Sequence, residues 1–178
     1  MQNFRNMSCN CTVVICYFYL MKNALILFVI VLPVLIINQL AFNGNSSVLG
    51  VIIFTIPFIG LNFLLKKSHS EYFKKEVFKK VFMTCLITGF FYAIWMGSYQ
   101  FLLVNYFKPT MAQELLIEIE ANMQSLFPER AEELTERNAE LFTQPIFWIS
   151  SHLLNYSFLF SLIGLILGFQ FKSKAAQQ

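Results

Sequence analysis

Four apolar runs, at 24–42, 48–65, 81–107 and 146–171, contain no aspartate, glutamate, lysine or arginine. At ~1.5 Å rise per residue each is long enough, as a helix, to cross or nearly cross a ~30 Å hydrocarbon core. In hydrocarbon every backbone N–H and C=O must be satisfied within the protein, so uninterrupted runs of this length are read as helices. The wider composition agrees. Hydrophobic residues make up 57% of the 178 and charged residues 13%, with a mean hydropathy of +0.59, against about 45–50% and 25% in soluble domains. The chain is therefore expected to be an all-α integral membrane protein with four transmembrane helices.

The segments between the runs set their arrangement. Asn43 to Ser47 is an uncharged turn cluster, so the first two spans should form an antiparallel hairpin. Pro33 in the first span, and Pro57 with Gly60 in the second, are tolerated where neighbouring helices re-satisfy the backbone. Residues 66–80 then carry Lys66, Lys67, Lys74, Lys75, Lys79 and Lys80 against only Glu71 and Glu76. Lysine-rich short loops stay in the cytoplasm. With this loop inside, Arg5, Lys22, the six lysines, Lys172 and Lys174 are cytoplasmic, ten basic residues against three outside. Four spans as two antiparallel hairpins, both termini cytoplasmic, satisfy the bias throughout. The lysines are candidates for anionic-lipid contact, and Ser68 with Glu71 fits the start of a surface helix; direct entry into the third helix is the plainer alternative.

The polar segment 108–145 is expected outside the membrane. Eight glutamates (Glu114, Glu118, Glu120, Glu129, Glu132, Glu133, Glu136 and Glu140) face Lys108, Arg130 and Arg137, a net charge of −5. Thr110 with Gln113 fits a capping box, and Met111, Leu115, Ile119 and Met123 mark one apolar helical face. Pro128 should stop or restart that helix before a weaker pattern at Ala131, Leu134, Asn138 and Leu141. This is an acidic helical insertion between the third and fourth spans, its charge read as a solvated face.

Residues 1–20 form an N-terminal extension whose apolar part, 13–20, is too short to span alone. Two readings fit: it lengthens the first helix, or translation starts at Met21, where Met21-Lys22-Asn23 opens a full-length span. Residues 21–174 are then one four-helix membrane domain and 175–178 a short tail. Cys9, Cys11, Cys16 and Cys85 form no CxxC pair and are read as unpaired.

Small residues recur every four positions at Cys85, Gly89, Ala93 and Gly97, and at Ser150, Ser157, Ser161, Gly164 and Gly168 in heptad-like spacing. Such stripes let helix backbones approach closely, within the chain or against another copy. Polar residues in the spans are few. Gln39, Gln100, His152 and Asn155 fall toward the outer side as a candidate polar layer, either a site or interhelical hydrogen bonding. No aspartate occurs, no carboxylate lies in a span, and neither HExxH nor a paired-acid motif is present. No catalytic, cofactor-binding or metal-ligating residue is therefore assigned, and nothing suggests nucleic acid.

The order of these features resembles a known family. The stretch MKNALILFVIVLPVLIIN, the tight turn, EYFKKEVFKKVFMTCLITGFF, the span end VNYFKPTM, the helical insertion and the final span are similar to the bacterial four-helix membrane proteins catalogued as domain of unknown function 4199. The resemblance covers about 21–174. It implies a bacterial inner-membrane location, agrees with a start at Met21, and supplies no activity, substrate or catalytic residue. On this reading the protein is a non-enzymatic accessory or scaffold component, partnered by the bilayer and by another membrane protein or a second copy. The alternative is a small transporter or channel subunit built on the outer polar layer.

Overall fold

A computed structural model describes residues 3–42, 47–72 and 76–175, with side chains except at 3–18, 40, 42, 67–72 and 174–175. The order is α1 (Asn3–Phe42), α2 (Ser47–Tyr72), α3 (Val77–Leu102), a π-helical segment (Leu103–Phe107), α4 (Pro109–Leu126), a 3-10 turn (Pro128–Arg130), α5 (Ala131–Phe142) and α6 (Pro145–Ala175), with no strand among the described residues. Four helices are long and apolar enough to cross a membrane: Tyr19–Gln39, Ser47–Lys66, Val77–Phe107 and Pro145–Ser173.

Two boundaries differ from expectation. The first helix begins at Asn3, well upstream of 24, as a continuous forty-residue α1. Neither glycine nor proline occurs between residues 3 and 32, so nothing in the backbone interrupts the helix. The basic segment 66–80 is not a loop throughout. Its first seven residues continue α2, placing Ser68 inside a helix rather than at a cap. Lys66–Tyr72 likewise lacks glycine and proline, and lysine and glutamate are good helix formers. The chain turns at Glu76, which takes φ +56°, and the Lys80 N–H donates to the Glu76 carbonyl at 3.0 Å as α3 begins. The expected turn at 43–46, Lys74, Lys75 and the tail 176–178 lie outside the described residues.

The chain divides into two compact units, Met1–Tyr92 with Tyr156–Gln178, and Ala93–Asn155. In the first unit α1 buries Leu20, Ala24, Leu27, Val31, Leu35 and Asn38. Steps of three and four keep these residues on one narrow stripe. On α2 the buried residues are Ile53, Pro57, Leu61 and Leu65, every fourth position. Leu27 of α1 reaches Gly60 of α2. The opposite faces present Val29, Ile30 and Ile37 on α1 and Val51, Phe54, Ile59 and Phe63 on α2, each more than half exposed. Apolar exposure on this scale would be an aggregation hazard in water and is the expected surface of a helix in lipid.

The α3 and α6 segments of this unit pack in antiparallel sense, residue numbers rising along one as they fall along the other. Phe78 covers Gly168, Phe82 and Cys85 cover Gly164, and Phe160 covers Gly89. Tyr92 stacks edge-on against Tyr156, ring centroids 5.0 Å apart. Cys85 is free and buried.

Candidate functional site

The second unit is built where α3 leaves its span. Lys108 precedes Pro109, whose ring disfavours α backbone in the residue before it, and Lys108 sits at φ −143°, ψ 68°. Its N–H reaches back five residues to the Leu103 carbonyl at 2.7 Å, which makes Leu103–Phe107 a π-helical turn. The same device recurs nineteen residues on. Phe127 precedes Pro128 and takes φ −142°, ψ 66°, ending α4 and starting the short 3-10 turn into α5. The expected capping box at Thr110 and Gln113 is not formed. Pro109 is already inside the helix, Lys108 occupies the cap position, and no side chain caps it. Proline needs no N–H partner in the first turn, which lowers the demand for a capping side chain.

Helices α4 and α5 fold onto the unit's own apolar core. Val104, Phe142 and Trp148 form its buried centre, and Met111, Leu115 and Ile119 of α4 pack against it. The apolar face expected from sequence is thus the face turned inward. A polar clasp closes the core. The Phe142 carbonyl, at the end of α5, accepts hydrogen bonds from Trp148 Nε1 at 2.9 Å and from Asn105 Nδ2 at 3.1 Å. Asn105 also donates to the Phe101 carbonyl at 3.0 Å. A carbonyl has two lone pairs, and here both are engaged, tying the end of α5 to the π-helical segment and to the first turn of α6. Trp148 carried no signal as a functional residue in sequence, where it reads as one more interfacial aromatic.

The outer surface of this cap is mixed. All eight glutamates are exposed, yet so are Ile117, Leu126 and Phe127, at 67%, 65% and 55%. Arg130 makes a two-pronged pair with Glu133, Nε to Oε2 and Nη2 to Oε1, both 3.2 Å. The hydrogen bond and charge of Arg130 hold the Glu133 carboxyl below its ordinary pKa. A depressed folded-state pKa gives stability that is present above the unfolded carboxylate pKa and fades as pH falls through the lower, folded value. Acidification should therefore cost the wild type slightly more α5 helicity than Glu133→Gln, as read by circular dichroism. Because the pair is fully exposed and screened by water and salt, the difference should be small.

The candidate polar residues are spread across both units. Gln39, on α1, is half-buried in the first unit. In the second, Gln100 and His152 are half-buried and Asn155 is exposed. His152 Nδ1 lies 2.9 Å from the Trp148 carbonyl. A carbonyl only accepts, so Nδ1 carries a proton. Among the described residues no hydrogen bond joins His152 to Gln100 or Asn155, and no group of three His, Cys, Asp or Glu side chains is placed to hold a metal.

In the first unit Ser161 donates to the Ser157 carbonyl at 2.7 Å, and Gly89, Gly164 and Gly168 are covered as described above. In the second unit Ala93 is buried and Gly97 meets the backbone of Ile149. Of the lysines, Lys66, Lys79 and Lys80 are exposed, and Lys79 lies 3.9 Å from Glu76. The side chain of Lys67 lies outside the described residues.

Compared with known proteins, the sequence matches the family described as Protein of unknown function (DUF4199) over residues 11–173. The chain belongs to this family. The match opens upstream of Met21, where the resemblance read from the sequence began, and takes in all four candidate spans, the cap and most of the continuous α1. No curated protein and no solved structure matches the chain. DUF4199 membership and four membrane-length helices describe a multi-pass membrane protein, and the family description attaches no activity to it.

Proposed function

We propose that this protein is a non-enzymatic accessory component of a bacterial inner membrane. Its four spans form two antiparallel hairpins, and its termini and lysines lie in the cytoplasm, where Lys66, Lys79 and Lys80 meet anionic lipid headgroups. The α4–α5 cap engages a second membrane protein on the outer side. The observation that carries this reading is the cap itself. It has its own apolar core and hydrogen-bonded clasp, and it displays Ile117, Leu126 and Phe127 among exposed glutamates. Exposed apolar side chains ringed by charge are the usual makeup of an interaction surface. The glutamates suit a partner whose facing surface is basic, with charge steering the encounter and the apolar residues holding the complex.

Purification in mild detergent tests this. A hetero-partner should accompany the wild type and be lost from the triple variant Ile117→Ser, Leu126→Ser, Phe127→Ser, whose thermal unfolding should stay close to wild type because these side chains are already exposed. Raised salt should weaken the association. A protein that purifies as a homo-oligomer and passes ions or solutes when reconstituted in vesicles would instead establish the transporter reading.

A further inference from the structure

The first unit holds two buried hydroxyls that have no hydrogen-bond partner among the described residues. Thr88 and Tyr92 of α3 are both 0% exposed, and Thr88 Oγ1 and the Tyr92 hydroxyl have no hydrogen-bond partner. Some helical hydroxyls of this chain are satisfied within their own helix, whereas Thr88 is not. Thr55 donates to the Val51 carbonyl at 2.7 Å, Thr135 to Ala131 at 2.8 Å and Ser161 to Ser157 at 2.7 Å, each four residues back. A threonine that forgoes this local bond while fully buried leaves a polar group desolvated at a cost, and such groups in native interiors are normally satisfied by protein or ordered water.

Helix geometry places the two residues on one face of α3. Residues four apart lie one above the other, and helical side chains lean toward the N-terminus, so the Tyr92 side chain extends over the turn that carries Thr88. The Tyr92 ring is held by Tyr156, centroids 5.0 Å apart, and by Phe160, at 5.4 Å. Tyr92 stands fifteen residues from either end of the Val77–Phe107 span, at the middle of the hydrocarbon thickness if that helix crosses a membrane.

We infer that Thr88 and Tyr92 form an internal water-binding site on α3 at mid-span. One water molecule accepts or donates one hydrogen bond at each hydroxyl and donates a third to the spare lone pair of the Thr84 carbonyl, the acceptor that Thr88 leaves unused. Three partners is the usual complement of a buried water. The site is a polar point inside the α3–α6 packing, separate from the cap and independent of the function proposed for it.

Radiolytic hydroxyl-radical labelling of the intact protein in detergent tests the site directly, because radicals formed from a bound water modify side chains that bulk solvent cannot reach. Tyr92 should be labelled in the wild type, and its labelling should fall severalfold in Thr88→Val. An unlabelled Tyr92 in the wild type would overturn the inference. Thermal unfolding gives a second readout in the opposite sign. If a water is bound, Thr88→Val and Tyr92→Phe each lower Tm, and the double variant is no worse than the more damaging single one, since either change breaks the same site. If the hydroxyls are dry and unpaired, both variants raise Tm additively and the site does not exist.

Discussion

Trp148→Ala is expected to cost about 3–5 kcal/mol of stability, the range for truncating a large buried aromatic. Trp148 is only 7% exposed. Its indole ring packs on Phe142 and Phe147 with centroids 5.2 and 5.5 Å away, and its Nε1 donates to the Phe142 carbonyl at 2.9 Å. Alanine removes both the ring packing and the hydrogen bond. Trp148→Phe separates the two contributions. It keeps an aromatic ring in the core and loses one donor, while the Phe142 carbonyl still accepts from Asn105, so about 1 kcal/mol should be lost. Circular dichroism during denaturant titration in detergent measures both variants without relying on indole fluorescence. Equal stability of Trp148→Ala and wild type would mean that the cap core contributes nothing to folding.

Gly97→Ala should cost about 1–3 kcal/mol, although alanine is the better helix former. A Cβ at this position would lie 2.6 Å from Ile149 Cα, 2.9 Å from Ile149 N and 3.0 Å from the Trp148 carbonyl oxygen. These are backbone atoms of α6, and they can yield only if the helices separate. The same substitution elsewhere provides its own controls. At Gly60 the near contact is Leu27 Cδ2, the far end of a flexible side chain, and at Gly50 nothing lies within 4 Å. Gly50→Ala should therefore gain up to about 1 kcal/mol from helix propensity. The series Gly97, Gly60, Gly50, measured as alanine variants under one denaturant, should rank from most to least destabilised in that order. A flat series would show that close helix approach is not what Gly97 provides.

Much of the architecture is legible in the residues. Long runs without charge specify spanning helices because hydrocarbon leaves the backbone no other donor or acceptor. Lys108 and Phe127 end their helices because each precedes a proline, a steric rule that acts between neighbours in the chain. Met111, Leu115 and Ile119 announce an apolar face by their spacing alone. The capping boxes at Ser68 and Thr110 misled, since the first lies in a segment where helix propensity carries α2 onward and the second follows a proline that already starts the helix.

What tertiary structure decided is which partner each local feature meets. Sequence places glycines in stripes along two spans but does not say that Gly97 faces backbone and Gly50 faces open space. It marks Asn105 and His152 as polar, yet assigns neither the Phe142 carbonyl to the first nor the Trp148 carbonyl to the second. Thr88 and Tyr92 carry no signal in sequence; burial of their hydroxyls without a partner among the described residues sets them apart. Spanning length, orientation bias and helix ends follow from solvent and near-neighbour sterics and so can be read along the chain. Packing and hydrogen-bond satisfaction depend on residues distant in sequence, and only the fold brings those together.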